Sequence, residues 1–289
     1  MRRALALLAA IALLAGCGSG EGDNVVATTT QVADLARNVA GERAAVTGIL
    51  TANADPHGYE PRARDVKRLV DARLVLRSGG EVDEWLDEAR RSAGSDAPVI
   101  TLGERTDEEP HWWQDPRAAI AAVARIRAAL TKADPEGEAQ YRANAERYLA
   151  RLRALDGAIA RCVATIPADR RKLVTTHDAL GAYAQRYGFE VIATVIPSRS
   201  TRGQASAGET AELVRTIRRE KVPAVFAESS VRSDVERAIA REAGARVSPE
   251  LWADSLGPKG SAGATYVSSM EANTRTIAEA LGGDPGRCP

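Results

Sequence analysis

Residues 116–166 read PRAAIAAVARIRAALTKADPEGEAQYRANAERYLARLRALDGAIARCVATI, and this stretch decides the fold. Ala, Arg, Leu and Glu dominate it, and Tyr141, Ala145, Tyr148, Leu152, Leu155 and Ile159 recur at spacings of three and four, the period of one helical face. The stretch is expected to be helical throughout. Asp134-Pro135 divides it, since proline suits the first helical turn and not the interior. A shorter helix is followed by a longer one of about 30 residues, which would extend about 45 Å at 1.5 Å per residue. A helix of that length is a spine that joins two bodies, and Pro167 ends it.

On either side the chain alternates short β-type runs with helical patterns. Before the spine these are Val25–Thr29, helix Val32–Val39, Ala45–Leu50, helix Ala63–Asp71, Leu74–Arg77, helix Trp85–Arg91 and Val99–Leu102. After it come Leu173–Thr175, helix Ala179–Tyr187, Val191–Thr194, helix Ala207–Glu220, Ala224–Ala227, helix Val231–Glu242 and a terminal helix Tyr266–Leu281. Strand then helix, repeated, marks a parallel sheet covered on both faces. The expected fold class is therefore α/β: two parallel-sheet lobes, 25–133 and 167–289, joined by one long rigid linker helix within 134–166. Loops rich in Gly, Ser and Pro at Ser198–Gly208 and Leu256–Gly263 follow predicted strand ends, where open α/β sheets bind ligands.

The amino terminus carries Arg2 and Arg3, twelve apolar residues Ala4–Ala15, then Gly16 and Cys17, the layout of an export signal. The run is shorter than the roughly 20 apolar residues that span a bilayer. Leu14-Ala15-Gly16-Cys17 resembles the lipobox of bacterial lipoproteins, which implies a signal peptide over 1–17, a lipid on Cys17, and a small, polar tether over 18–24. The protein is then expected on the extracytoplasmic face of the membrane, held by its lipid alone. Losing Arg2 and Arg3 leaves 37 basic residues against 39 acidic, so no positive field exists to hold nucleic acid. Cys162 and Cys288 remain. In an oxidising compartment they are expected to form a disulfide, the alternative being two buried thiols, and sequence does not supply their separation.

The chain has only three histidines, so each can be asked for its purpose. His57 lies in Asp55-Pro56-His57-Gly58-Tyr59-Glu60-Pro61, His111 in Pro110-His111-Trp112-Trp113-Gln114-Asp115-Pro116, and His177 in Thr175-Thr176-His177-Asp178-Ala179. Each stands in a turn or polar context beside an acid or an aromatic, not on an apolar helical face. These contexts resemble, in order, motifs of the TroA-like (ZnuA-type) zinc and manganese solute-binding lipoproteins of ABC transporters. The resemblance continues through Val225-Phe226-Ala227-Glu228-Ser229-Ser230-Val231, Ala253-Asp254-Ser255-Leu256-Gly257 and Tyr266-Val267-Ser268-Ser269-Met270, and so covers the chain beyond its signal.

That resemblance implies a single metal in the inter-lobe cleft, with His57 and His111 from the first lobe and His177 and Asp254 from the second. Three imidazoles and a carboxylate are donors that zinc accepts in a closed tetrahedral site. Without the resemblance, Asp254 would read as a turn or capping residue. Glu228 is implied to stand beside the site without ligating. Glu60 and Asp178 either accept the second ring N–H of a ligand histidine or are solvated loop acids. Manganese members place a glutamate where this chain has His177, so zinc is the expected ion and manganese the alternative. The histidine-rich loop of many zinc members is missing: Gly103–Pro110 has Asp107, Glu108 and Glu109 instead.

The implied partners are an ABC permease and its cytoplasmic ATPase, and a monomer is expected. An iron-chelate or cobalamin binder of the same architecture is the rival reading, weakened by an aromatic content of 4 %. A zinc hydrolase with water as fourth ligand and Glu60 or Glu228 as base is a remoter one, since no His-Glu-x-x-His helix occurs. With a rigid spine limiting closure, metal loss is expected to loosen the loops around His111 and Asp254.

Overall fold

A computed structural model describes residues 24–103 and 109–289. The expected lipidation at Cys17, and Asp107 and Glu108, lie outside these residues.

The first lobe builds β1 (Asn24–Ala27), α1 (Thr30–Ala40), β2 (Ala45–Gly48), α2 (Ala63–Val70), β3 (Leu74–Arg77), α3 (Leu86–Ala93) and β4 (Val99–Thr101). Its strands pair in parallel in the order β2-β1-β3-β4. Val25, Val26 and Ala27 are buried, as are Leu74, Val75 and Leu76. Burial of consecutive residues means both faces are covered, which is why these strands read as apolar runs without alternation. The Thr29 hydroxyl accepts from Val32 N at 3.3 Å and starts α1 immediately after the strand.

Two helices follow, α4 (Pro116–Ala133) and α5 (Glu138–Val163). Asp115 caps α4 by accepting from Arg117 N at 2.8 Å, with Pro116 at the first helical position. The break falls at Asp134-Pro135, in a short turn over Pro135–Gly137. The α5 helix has 26 residues, hence about 39 Å, less than the sequence suggested. It stops early because Pro167 disfavours helical backbone before it, and the Thr165 hydroxyl donates to Cys162 O at 2.6 Å.

The second lobe adds β5 (Lys172–Thr175), α6 (Gly181–Tyr187), β6 (Glu190–Thr194), α7 (Ala207–Glu220), β7 (Ala224–Val225), α8 (Asp234–Ala243), β8 (Arg246–Val247) and α9 (Tyr266–Leu281). β5 pairs with β6 and β7 with β8, all parallel, and a parallel bridge between Thr175 and Phe226 joins the two pairs. The resulting order, β6-β5-β7-β8, repeats the winding of the first lobe. β8 was not anticipated, being only two residues long and too short to show a pattern.

The spine is not a bridge through solvent. Tyr141, Ala145, Tyr148, Leu152, Leu155, Ile159 and Cys162 are buried in one continuous apolar cluster that also contains Val32 and Leu35 of α1 and Ile277 and Leu281 of α9. Asn144 Nδ2 donates to Val39 O at 3.0 Å on the first-lobe side. On the other side a disulfide joins Cys162 to Cys288, with Cα atoms 4.5 Å apart. Both lobes thus share the core that packs on α5. Among the described residues no helix is long and apolar enough to cross a membrane.

Candidate metal centre

His57, His111, His177 and Asp254 all stand in loops beyond the carboxyl ends of strands, after β2, β4, β5 and β8 respectively. Each loop has its own reason to hold its shape. Asp55 Oδ1 accepts the His57 main-chain N–H at 2.9 Å across Pro56, and the Tyr59 hydroxyl donates to Asp65 Oδ2 at 2.6 Å to anchor the far side of that loop. Glu109 Oε1 accepts the His111 main-chain N–H at 3.0 Å across Pro110. Trp112 Nε1 donates to Ser78 O at 3.2 Å beneath the turn that follows. For His177 the corresponding acceptor is Glu228 Oε1, at 3.2 Å from the main-chain N and 3.0 Å from Nδ1.

Asp254 is held mainly from the opposite lobe. The carbonyl before it, Ala253 O, accepts from Trp113 Nε1 and Gln114 Nε2, both at 2.8 Å. After it, Leu256 N donates to Thr30 Oγ1 at 2.8 Å and Leu256 O accepts from Asn53 N at 3.0 Å. From its own lobe, Asn273 clasps Trp252 through Oδ1 at 3.0 Å and Nδ2 at 2.9 Å. The indole of Trp252 packs against Gly263, where a Cβ would come within 2.1 Å of the ring.

The four side chains converge. His111 Nε2 is 3.2 Å from His57 Nε2 and 3.4 Å from His177 Nε2. Asp254 Oδ1 is 3.3 Å from His111 Nε2, and Oδ2 is 3.4 Å from His177 Nε2 and 3.6 Å from His57 Nε2. The edges of a tetrahedron whose vertices lie 2.0–2.1 Å from its centre measure about 3.3–3.4 Å; the separations of His111 Nε2 from its three neighbours are close to that, and all four ligand atoms lie within 4.8 Å of one another. All four residues are at most 1 % exposed. Both Asp254 oxygens, and Nδ1 of His57 and of His111, have no hydrogen-bond partner. A buried carboxylate without hydrogen bonds, facing three ring nitrogens, is costly unless a cation sits among them. The donor set fits a metal.

Electrostatics in the metal-free site points the same way. Burial pushes His57 down to about 4 despite the attraction of Asp254. Burial also opposes charge on His177, but Glu228 and Asp254 outweigh it and push that ring up to about 11. His111 is raised for a similar reason, with Asp254 and Glu109 overcoming burial. Against its own burial, Asp254 is held well below the usual carboxylate range by His177 and His111, while burial raises Glu228. The metal-free cluster therefore stores protons that an incoming cation displaces.

Of the acids that the sequence placed near the site, only Glu228 reaches a histidine ring. Glu60 is exposed. Asp178 turns outward, its main-chain N–H donating to Ser198 O at 3.0 Å and its carboxylate 3.7 Å from Arg199. Side chains of consecutive residues diverge, and the Nδ1 of His177 already faces Glu228. Sequence reasoning passed over Asp55, Glu109, Trp113 and Gln114. The first two had a signal, an acid-Pro-His triplet that occurs at 55–57 and again at 109–111.

A family model described as zinc-uptake complex component A, periplasmic (ZnuA), matches residues 25–280. The chain is 34 % identical over 307 residues to the manganese-binding lipoprotein MntA of Bacillus subtilis, covering 97 % of this chain and 100 % of that one. It is 30 % identical over 270 residues to the iron-binding protein YfeA of Yersinia pestis, covering 89 % and 86 %. The structure of the periplasmic zinc-binding protein TroA of Treponema pallidum superposes with a TM-score of 0.82 at 30 % identity, covering 89 % of this chain and 98 % of that one.

Proposed function

Since the chain belongs to the ZnuA family of metal-uptake proteins, whose members are substrate-binding transport proteins and not enzymes, we propose that it captures one divalent transition-metal ion through His57, His111, His177 and Asp254. It then delivers the ion to the permease of an ABC importer driven by a cytoplasmic ATPase. The observation that carries this is the buried quartet itself, with ligand atoms all within 4.8 Å of one another and the Asp254 oxygens unpartnered. That space takes a bare ion, which disfavours a chelate or a corrin. Asp254 fills the position a hydrolytic water would need. Glu228 fixes the tautomer of His177 by facing its Nδ1, so that Nε2 is free for the metal.

Zinc is the ion we favour, because three imidazoles and a carboxylate suit it. Manganese is the second reading. Relatives are named for manganese, iron and zinc alike, and both Asp254 oxygens lie within 3.3–3.6 Å of ring nitrogens, which would permit a higher coordination number. Cys17 would carry the lipid that keeps the protein at the extracytoplasmic face, with 18–24 as tether.

The test is elemental analysis of protein purified without added metal, followed by chelator stripping and competitive titration with Zn2+ and Mn2+. One equivalent of tightly held ion, lost in Asp254→Ala, is the expected result. A stripped protein that regains neither metal sinks the proposal, and tighter manganese than zinc reverses the choice of ion.

A further inference from the structure

The quartet is not held with equal strength on its two sides. His111 and Asp254 come from different lobes but are joined through buried bonds, two donors from the His111 segment meeting on Ala253 O. Tyr266 OH adds a bond to Trp113 O at 2.6 Å, and Tyr266 N donates to Asp34 Oδ2 at 3.0 Å. His57 and His177 face one another from the two lobes with much less between them. The connection runs along the rim: Asp55 Oδ2 accepts from the Thr201 hydroxyl at 2.7 Å, a partly buried contact between residues 146 apart in sequence.

Both ends of that contact lead straight to a ligand. Asp55 uses its other oxygen to hold the His57 main-chain N–H, with Pro56 stiffening the link. Thr201 belongs to the loop after β6, which is tied to the His177 segment by Ile196 N to Thr176 O at 2.7 Å and Asp178 N to Ser198 O at 3.0 Å. A ring of covalent and hydrogen bonds thus runs from His57 through Asp55, Thr201 and Ser198 to His177, and it is closed by one side-chain hydrogen bond.

We infer that the metal leaves on the His57 side, and that Asp55 and Thr201 form a latch across the cleft that gates its departure. Asp55 is a positioning residue: it does not touch the ion but holds His57 against it only while Thr201 is engaged. A partner that parts the two loops at the rim would release the ion without disturbing the His111–Asp254 side. This rests on the metal-binding reading above.

The latch predicts a kinetic phenotype. Zinc-loaded full-length protein is mixed with excess chelator, and the dissociation rate is followed for wild type, Thr201→Val, Thr201→Ser, Asp55→Asn and the Thr201→Val/Asp55→Asn double variant. Asn at 55 keeps an acceptor for His57 N–H but loses the charged acceptor for Thr201. Losing a hydrogen bond to a charged group at this gate should speed dissociation on the order of tenfold in Thr201→Val, with little change in association rate. Thr201→Ser should restore the slow rate, and the double variant should be no faster than Asp55→Asn. The metal-free melting temperature of Thr201→Val should match wild type.

Unchanged dissociation in Thr201→Val, or additive acceleration in the double variant, overturns the latch and leaves the metal site standing. Failure of the wild type to bind zinc or manganese at all overturns the metal reading, and the latch with it. Hydrogen exchange gives an independent check: stripping the metal should expose residues 55–58 and 196–203 more than 253–257 and Asn53, whose N–H is bonded to Leu256 O, and the reverse order refutes the inference.

Discussion

His57, His111 and His177 have the same side chain and three different proton affinities, and that spread governs how the site meets a metal. His57 is neutral at pH 7 because burial pushes it down to about 4, whereas Glu228 and Asp254 push His177 up to about 11. A raised histidine contributes stability that is complete below its ordinary value near 6.5 and is lost as pH rises through its folded value. For His177 that window runs from about 6.5 to about 11 in the metal-free protein. Because the ion replaces those protons, metal affinity should rise with pH across the same window, about tenfold per pH unit for each proton displaced. Titration calorimetry at pH 7 in buffers of different ionisation enthalpy should report release of roughly one to two protons per ion, from His177 and His111. An enthalpy that does not depend on the buffer would refute this. The histidines could be picked out beforehand from their scarcity and their motifs. The roles of Asp55 and Glu109 could not, since a main-chain hydrogen bond to a carboxylate two residues away is one of several options for a loop acid.

Among the elements, α5 decides how the lobes relate. Its apolar stripe was legible because helical periodicity survives in sequence whatever the stripe packs against. What it packs against was not legible: α1 and α4 on one side, α9 on the other, in a single cluster. The Cys162–Cys288 disulfide adds a covalent tie from the end of α5 to the segment beyond α9. Closing so long a loop restricts the unfolded chain, and the Cys162→Ser/Cys288→Ser variant should lose about 2–5 kcal/mol of stability. Since neither cysteine adjoins the quartet, its zinc affinity should match wild type. Denaturant titration and competition binding measure the two, and a loss of affinity with stability unchanged would contradict that separation. The sequence led to the expectation that loops around His111 and Asp254 loosen on metal loss, whereas the proposed latch puts the loosening at Asp55 and Thr201, and the hydrogen-exchange comparison decides between them. The loops of His111 and Asp254 are pinned by Trp113, Gln114 and Tyr266, and the thinner contact lies at Asp55 and Thr201.

For the whole molecule, a core shared across α5 means that the lobes should unfold together. Calorimetry of the metal-free protein should show one transition, and two separated transitions would contradict the shared core. The four proposed ligands come from loops spread between residues 57 and 254, so metal should bind only the folded form. Free ion at 100 times the dissociation constant should therefore add about 2.7 kcal/mol and raise the melting temperature. No upward shift with either zinc or manganese would count against the quartet as a binding site.

The α/β class, the position of the spine and the break at Asp134-Pro135 followed from local pattern, because periodicity and proline act over a few positions, while the three histidines were singled out by scarcity together with the resemblance of their motifs to a known family. The convergence of the quartet to within 4.8 Å, the unpartnered Asp254 carboxylate, the outward turn of Asp178 and the unequal fastening of the two sides followed only from tertiary structure. Each depends on residues distant in sequence meeting at the cleft, and local pattern carries no information about which loops the packed core brings face to face.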